Sequence, residues 1–167
     1  MSFTIIGLTG PTGAGKTTVL HVLEGMGAAV LDADAIYHDL TVSSQPMRQA
    51  LQERFGPDIY DDQGVLLRKQ LGARVFGDAQ ALEDLNAITH RYIQLEIQRR
   101  LDQAQAEGKE MAVVDGIDAA YARKRVEAQK PAEFFETHCQ YTLHNDGDDP
   151  GQLEQQATAL FAHILHR

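Results

Sequence analysis

Residues 10–17 read Gly10-Pro11-Thr12-Gly13-Ala14-Gly15-Lys16-Thr17, which fits G-x-x-x-x-G-K-[ST] with Gly10, Gly15, Lys16 and Thr17 at the fixed positions. Apolar residues Ile5-Ile6-Gly7-Leu8 precede this run, and a helical pattern follows it to Met26. Strand, loop and helix in that order are the setting of a phosphate-binding loop. Glycines let the backbone curl closely enough to aim several N–H groups at one phosphate, and the helix start adds its positive end. The motif assigns Lys16 to the β- and γ-phosphates and the Thr17 hydroxyl to Mg²⁺. A glycine-rich turn that merely joins a strand to a helix would not need the full match.

Working outward, residues 3–9 read as a buried strand and 16–26 as a helix whose apolar face is Val19, Leu20, Val22 and Leu23, closed by Gly25 and Gly27. Residues 28–31 form a second apolar run ending at Asp32. This β-α-β opening predicts an α/β fold with a parallel sheet. From 35 to 108 no strand is evident. Helices are expected over 47–55, 68–76 and 81–106, and such a block can form a substrate-binding cap. Leu85, Ile88, Tyr92, Leu95 and Leu101 give the longest helix an apolar stripe, which reads as core packing. Residues 111–114 predict a third strand ending at Asp115. Helices are expected over 119–129, 131–138 and 150–165, and 141–143 is a further strand candidate.

Acids at the strand ends are the next candidates. In open α/β sheets ligands bind beyond the carboxyl ends of the strands. Asp32 and Asp34 follow the second strand; an acid there can take a proton from an attacking hydroxyl, hold Mg²⁺ through water, or simply cap the next helix. Asp115 stands in the Walker-B arrangement, an acid after an apolar strand that orients Mg²⁺, although strand ends are also commonly capped by Asp.

Composition narrows the function classes. The 167-residue chain carries a net charge of −9, which argues against a broad nucleic-acid surface but not against a small nucleotide held by Lys16 and loop amides. The 43% hydrophobic content supports a core in one domain. The single cysteine, Cys139, excludes an internal disulfide and multi-cysteine zinc patterns and reads as a small packing residue. Seven histidines lack a metal-ligand spacing. Asp61, Asp62, Asp146, Asp148 and Asp149 fall in turn-like stretches. No long apolar run and no basic N-terminal stretch suggest membrane insertion or export, so a cytoplasmic protein is expected.

With these features assembled, the chain resembles the dephospho-coenzyme A kinase family. The resemblance runs through Ile6-Gly7-Leu8-Thr9-Gly10, Gly15-Lys16-Thr17-Thr18 and Leu31-Asp32-Ala33-Asp34. It continues in Phe55-Gly56-Pro57, Leu66-Leu67-Arg68, Val75-Phe76-Gly77-Asp78 and Leu85-Asn86-Ala87-Ile88-Thr89-His90. It ends in Arg125-Val126-Glu127-Ala128-Gln129 and Asn145-Asp146-Gly147. It implies a single P-loop kinase domain over 1–167, with a helical CoA-binding region near 36–108 and a lid-like segment near 116–137. It implies transfer of the ATP γ-phosphate to the ribose 3′-hydroxyl of dephospho-CoA, with Mg²⁺, in the last step of coenzyme A synthesis. Carried over, Lys16, Asp34 and Arg125 are catalytic, with Asp34 as base. Gly13, Ala14, Gly15, Lys16, Thr17, Thr18, Asn145 and Gly147 bind ATP. Asp34, Arg68 and His90 face dephospho-CoA, and Thr17 and Asp115 serve the metal. A membrane or nucleic-acid partner is not implied.

Two departures stand out. Arg91 replaces the proline that follows the family's histidine. More importantly, Asp115-Gly116-Ile117-Asp118-Ala119 passes almost directly from a strand to lid-like sequence, where the family has a helix, another strand and the lid entry. A parallel crossover needs about a dozen residues or more. Either the protein carries a segment beyond this sequence, marked by a mass above 18.4 kDa, or its sheet is narrowed and its lid reduced. The first is preferred, because deleting a central strand exposes sheet edges. Another nucleoside or nucleotide kinase, and a non-catalytic nucleotide-binding homologue, are the alternative readings.

Overall fold

The computed structural model describes residues 3–11, 13–116, 139–147 and 149–166. The expected helices over 119–129 and 131–138, the lid-like segment beyond Gly116, and Arg125 lie outside them. Strands β1 (Thr4–Leu8), β2 (Ala29–Asp32) and β3 (Met111–Asp115) form a parallel sheet in the order β1-β3-β2. Among the described residues β1 is an edge strand, and its Ile5 is 55% exposed.

β3 is apolar on both faces because both faces are covered. Met111 and Val113 pack with Val19 and Leu23 of α1 (Lys16–Gly25) and with Leu153, Ala157 and Phe161 of α6 (Pro150–Leu165). Ala112 and Val114 face the opposite core, built from α2 (Ala33–Ser43), α3 (Gln45–Phe55), α4 (Arg68–Val75) and α5 (Ala79–Ala106). Period-two alternation along one strand thus divides the interior in two.

The helical block contains the helices expected from the sequence, and their starts have local causes. Asp32, Ser44, Asp78 and Asp149 each accept a backbone N–H from the first turn of the helix that follows, satisfying donors that no intrahelical carbonyl reaches. Between α3 and α4, Arg74 donates to the Phe55 carbonyl and to the Asp58 carboxylate, which clamps the turn at Gly56. Asp61 accepts from the N–H groups of Gln63 and Val65 and folds the chain back towards Arg68. The strand proposed over 141–143 is not formed. Only Leu143 of that run packs into the core, and a three-residue apolar run gives too little buried surface to specify a ladder.

Candidate active site

Parallel register brings the carboxyl ends of the three strands to one edge of the sheet. Leu8 pairs with Asp115 and Asp32 pairs with Asp115, so all three strands end in one row. The loop leaves β1 from this row and returns as α1. Gly13 and Gly15 have φ of 81° and 94°, values that side chains with a Cβ rarely adopt, and Ala14 N–H donates to the Pro11 carbonyl at 3.2 Å. Gly15 is also the N-cap of α1. The first-turn amides of Lys16 and Thr17 therefore have no carbonyl earlier in the helix to bond, and they belong to the positive end of α1.

Lys16 Nζ lies 3.8 Å from Asp115 Oδ1. That is an ion pair but not a hydrogen bond. Asp115 Oδ1 is enclosed and has no hydrogen-bond donor among the described residues. Burying a carboxylate oxygen without a donor is costly, so this atom suits a cation or its water. Thr17, exposed at the start of α1, supplies a hydroxyl on the same edge. The donors fit Mg²⁺, which uses one or two protein oxygens together with substrate phosphates. Among the described residues no group of three or more His, Cys, Asp or Glu gathers into a metal cage.

The two acids at the carboxyl end of β2 separate by geometry. Asp32 Oδ1 accepts from Asp34 N–H at 2.9 Å and Ala35 N–H at 3.2 Å. Its side chain is occupied as the cap of α2. Asp34 stands exposed in the first turn and has its carboxylate available.

One helical turn beyond Asp34, on the same face of α2, is His38. Its Nδ1 lies 2.5 Å from Arg68 Nη2, so the structure links α2 to the first residue of α4. These two residues share a cavity of about 670 Å³ with Asp39, Thr41 and Arg100. Arg100 bonds Asp39 at 3.2 Å and Glu96 at 2.8 Å. Hydrogen bonding from Arg99, with further help from Arg100, holds the Glu96 carboxyl down to about 2. His90 is half-buried in the middle of α5. Asn145 Nδ2 donates to the Ala14 carbonyl at 3.3 Å, so the stretch before α6 touches the phosphate loop directly. Gly147 follows on the surface.

Sequence reasoning singled out Asp34 and Arg68 but missed His38, Asp39 and Arg100. The i, i+4 spacing of Asp34 and His38 was the available signal; the Arg68 contact, 30 residues away, had none.

A model of the dephospho-CoA kinase family matches residues 4–117. The dephospho-CoA kinase of Corynebacterium efficiens is 32% identical over 196 aligned positions, which cover 97% of this chain and 98% of that protein. Roughly thirty of those positions face no residue of this chain, about the length of a β-α-β unit. The dephospho-CoA kinase of Corynebacterium diphtheriae is 41% identical over 111 residues, or 66% of this chain. That stretch spans 56% of the relative, little more than half its length. Among solved structures, TT1252 from Thermus thermophilus superimposes with a TM-score of 0.70 at 24% identity, covering 98% of this chain and 99% of that one. Dephospho-CoA kinase from Campylobacter jejuni gives 0.60 at 17% identity, covering 98% and 96%. These two likenesses speak to the fold.

Proposed function

Because the chain belongs to the dephospho-CoA kinase family, a family of ATP-using transferases, we propose that it phosphorylates the ribose 3′-hydroxyl of dephospho-CoA. The observation that carries this reading is the single sheet edge on which the loop, Lys16, Asp115 and Asp34 meet. Phosphoryl transfer needs little covalent chemistry from the protein; it needs alignment and compensation of negative charge. In the proposed mechanism the amides of residues 13–18 hold the β-phosphate, and Lys16 turns from Asp115 towards the transferring group. Thr17 and Asp115 are the residues proposed to hold Mg²⁺, which when bound offsets charge on the phosphates. Asp34, free of capping duty, orients the acceptor hydroxyl and takes its proton.

The rest of the assignment follows the family. The domain is taken as one kinase unit over 1–167, with 36–108 as the CoA-binding region and 116–137 as the lid. Arg68 and His90 are assigned to the acceptor side, Arg125 to the lid, and Asn145 and Gly147 to the adenine side. The cytoplasm is the proposed location; among the described residues no helix is long and apolar enough to cross a membrane.

A second reading, a nucleotide-binding homologue without turnover, draws on one specific observation. The family match stops at residue 117, and the full-length relative has roughly thirty positions with no counterpart here. Coupled ADP release with ATP, Mg²⁺ and dephospho-CoA, with adenosine as control acceptor, decides between them. Turnover that requires dephospho-CoA supports the kinase. ATP binding with no transfer to any acceptor supports the homologue.

A further inference from the structure

We infer that His38 is a positioning residue that sets the Arg68 guanidinium to receive a phosphate-bearing part of the acceptor, an inference that rests on the phosphoryl-transfer reading. Arginine carries only donors, so at 2.5 Å the His38 Nδ1 must be the acceptor. That fixes the ring as neutral with its proton on Nε2. A neutral partner directs the guanidinium without cancelling its charge. The contrast with Arg100 is informative. Arg100 is compensated by Asp39 and Glu96, whereas among the described residues no carboxylate pairs with Arg68. Arg68 is therefore the uncompensated cation of the cavity, and its fork suits a phosphate.

The surroundings match an acceptor with both charged and apolar parts. Asp34 lies one turn from His38 and offers the base. Val42 and Val65, 76% and 52% exposed, line the same cavity as Arg68 and offer an apolar strip. A molecule whose hydroxyl meets Asp34 can lay a phosphate on Arg68 and an apolar arm on the valines.

The test uses the full chain and dephospho-CoA as the probe, read both by equilibrium titration and by ADP release. His38→Leu removes the acceptor atom. His38→Asn keeps an acceptor oxygen near the Nδ1 position. His38 is exposed, so both variants should fold, and circular dichroism checks this. The expected result for His38→Leu is about tenfold weaker dephospho-CoA binding and a KM raised in step, with the KM for ATP unchanged and kcat moved less. His38→Asn should bind like the parent. Equal dephospho-CoA affinity in the parent and His38→Leu overturns the inference, as does His38→Asn behaving like His38→Leu. Failure of the functional reading is distinguishable. Binding that depends on His38 without any ADP release sinks the kinase and keeps this inference; turnover with His38→Leu unchanged sinks only the inference.

Discussion

Gly15→Ala probes whether the phosphate loop is locked from behind by the C-terminal helix. Gly15 has φ 94° and ψ 22°, in the left-handed region, where an alanine costs about 1–2 kcal/mol. An added Cβ would stand 2.7 Å from Leu153 Cδ2 and 3.0 Å from Asn145 Nδ2. Leu153 is 4% exposed within the core beneath α1 and α6, so its methyl has nowhere open to turn. Overpacking of this kind costs about 1–3 kcal/mol. The expected sum is about 3 kcal/mol, or about 6–12 °C in Tm for a chain of this length. Urea unfolding and a thermal scan measure it. Gly13→Ala is the control, since Gly13 has φ 81° but no atom within 4 Å of an added Cβ; it should lose only the backbone share. Combining Gly15→Ala with Leu153→Ala should cost at least about 1 kcal/mol less than the two changes added, because the second removes the obstructing methyl. If Gly15→Ala costs no more than Gly13→Ala, or the pair is additive, the packing argument is wrong.

Three further outcomes are expected. Lys16→Ala should abolish most turnover while the protein stays folded, checked by ADP release and circular dichroism; near-normal turnover refutes the loop assignment. Asp34→Asn should depress kcat far more than ATP affinity, whereas Asp32→Ala should lower stability by about 1 kcal/mol through the lost cap of α2. Reversed phenotypes would exchange the two roles. Glu96, held at about 2 against an unfolded value of 4.5, adds stability that is present above pH 4.5 and fades as pH falls towards 2. Its partner Arg99 is 61% exposed, so screening limits the Glu96→Gln cost to about 1 kcal/mol near neutrality. The gap in Tm between parent and variant should close on acidification across that window, and a constant gap would contradict it.

Much of this architecture could be read from local sequence. The loop declared itself through fixed spacing, and β3 through an apolar run ending in an acid, because those signals lie within a few residues. Asp32 and Asp34 could not be separated on paper, since either carboxylate can cap a helix; only the N–H contacts of Asp32 assign that duty. The Arg68–His38 contact was invisible because its partners belong to different helices with no shared period. The strand expected over 141–143 failed for a related reason. Three residues of apolar pattern do not specify a partner, and here tertiary packing uses Leu143 alone.

The contact between Asn145 and Ala14 joins residues 131 positions apart, and Leu153 crowds the same loop. During synthesis the loop, its strand and α1 emerge early, while the segment that braces the loop comes near the end of the described chain. On the proposed function, a growing chain in which α6 has not docked lacks this brace behind the loop and gains little from the ATP around it. Once α6 is in place, a nucleotide bound as proposed would add RT ln(1 + [L]/Kd) to the folded state. Ligand stabilisation would thereby be reserved for chains that have been made through α6, leaving a product that stops short of that helix to proteolysis even where ATP is abundant.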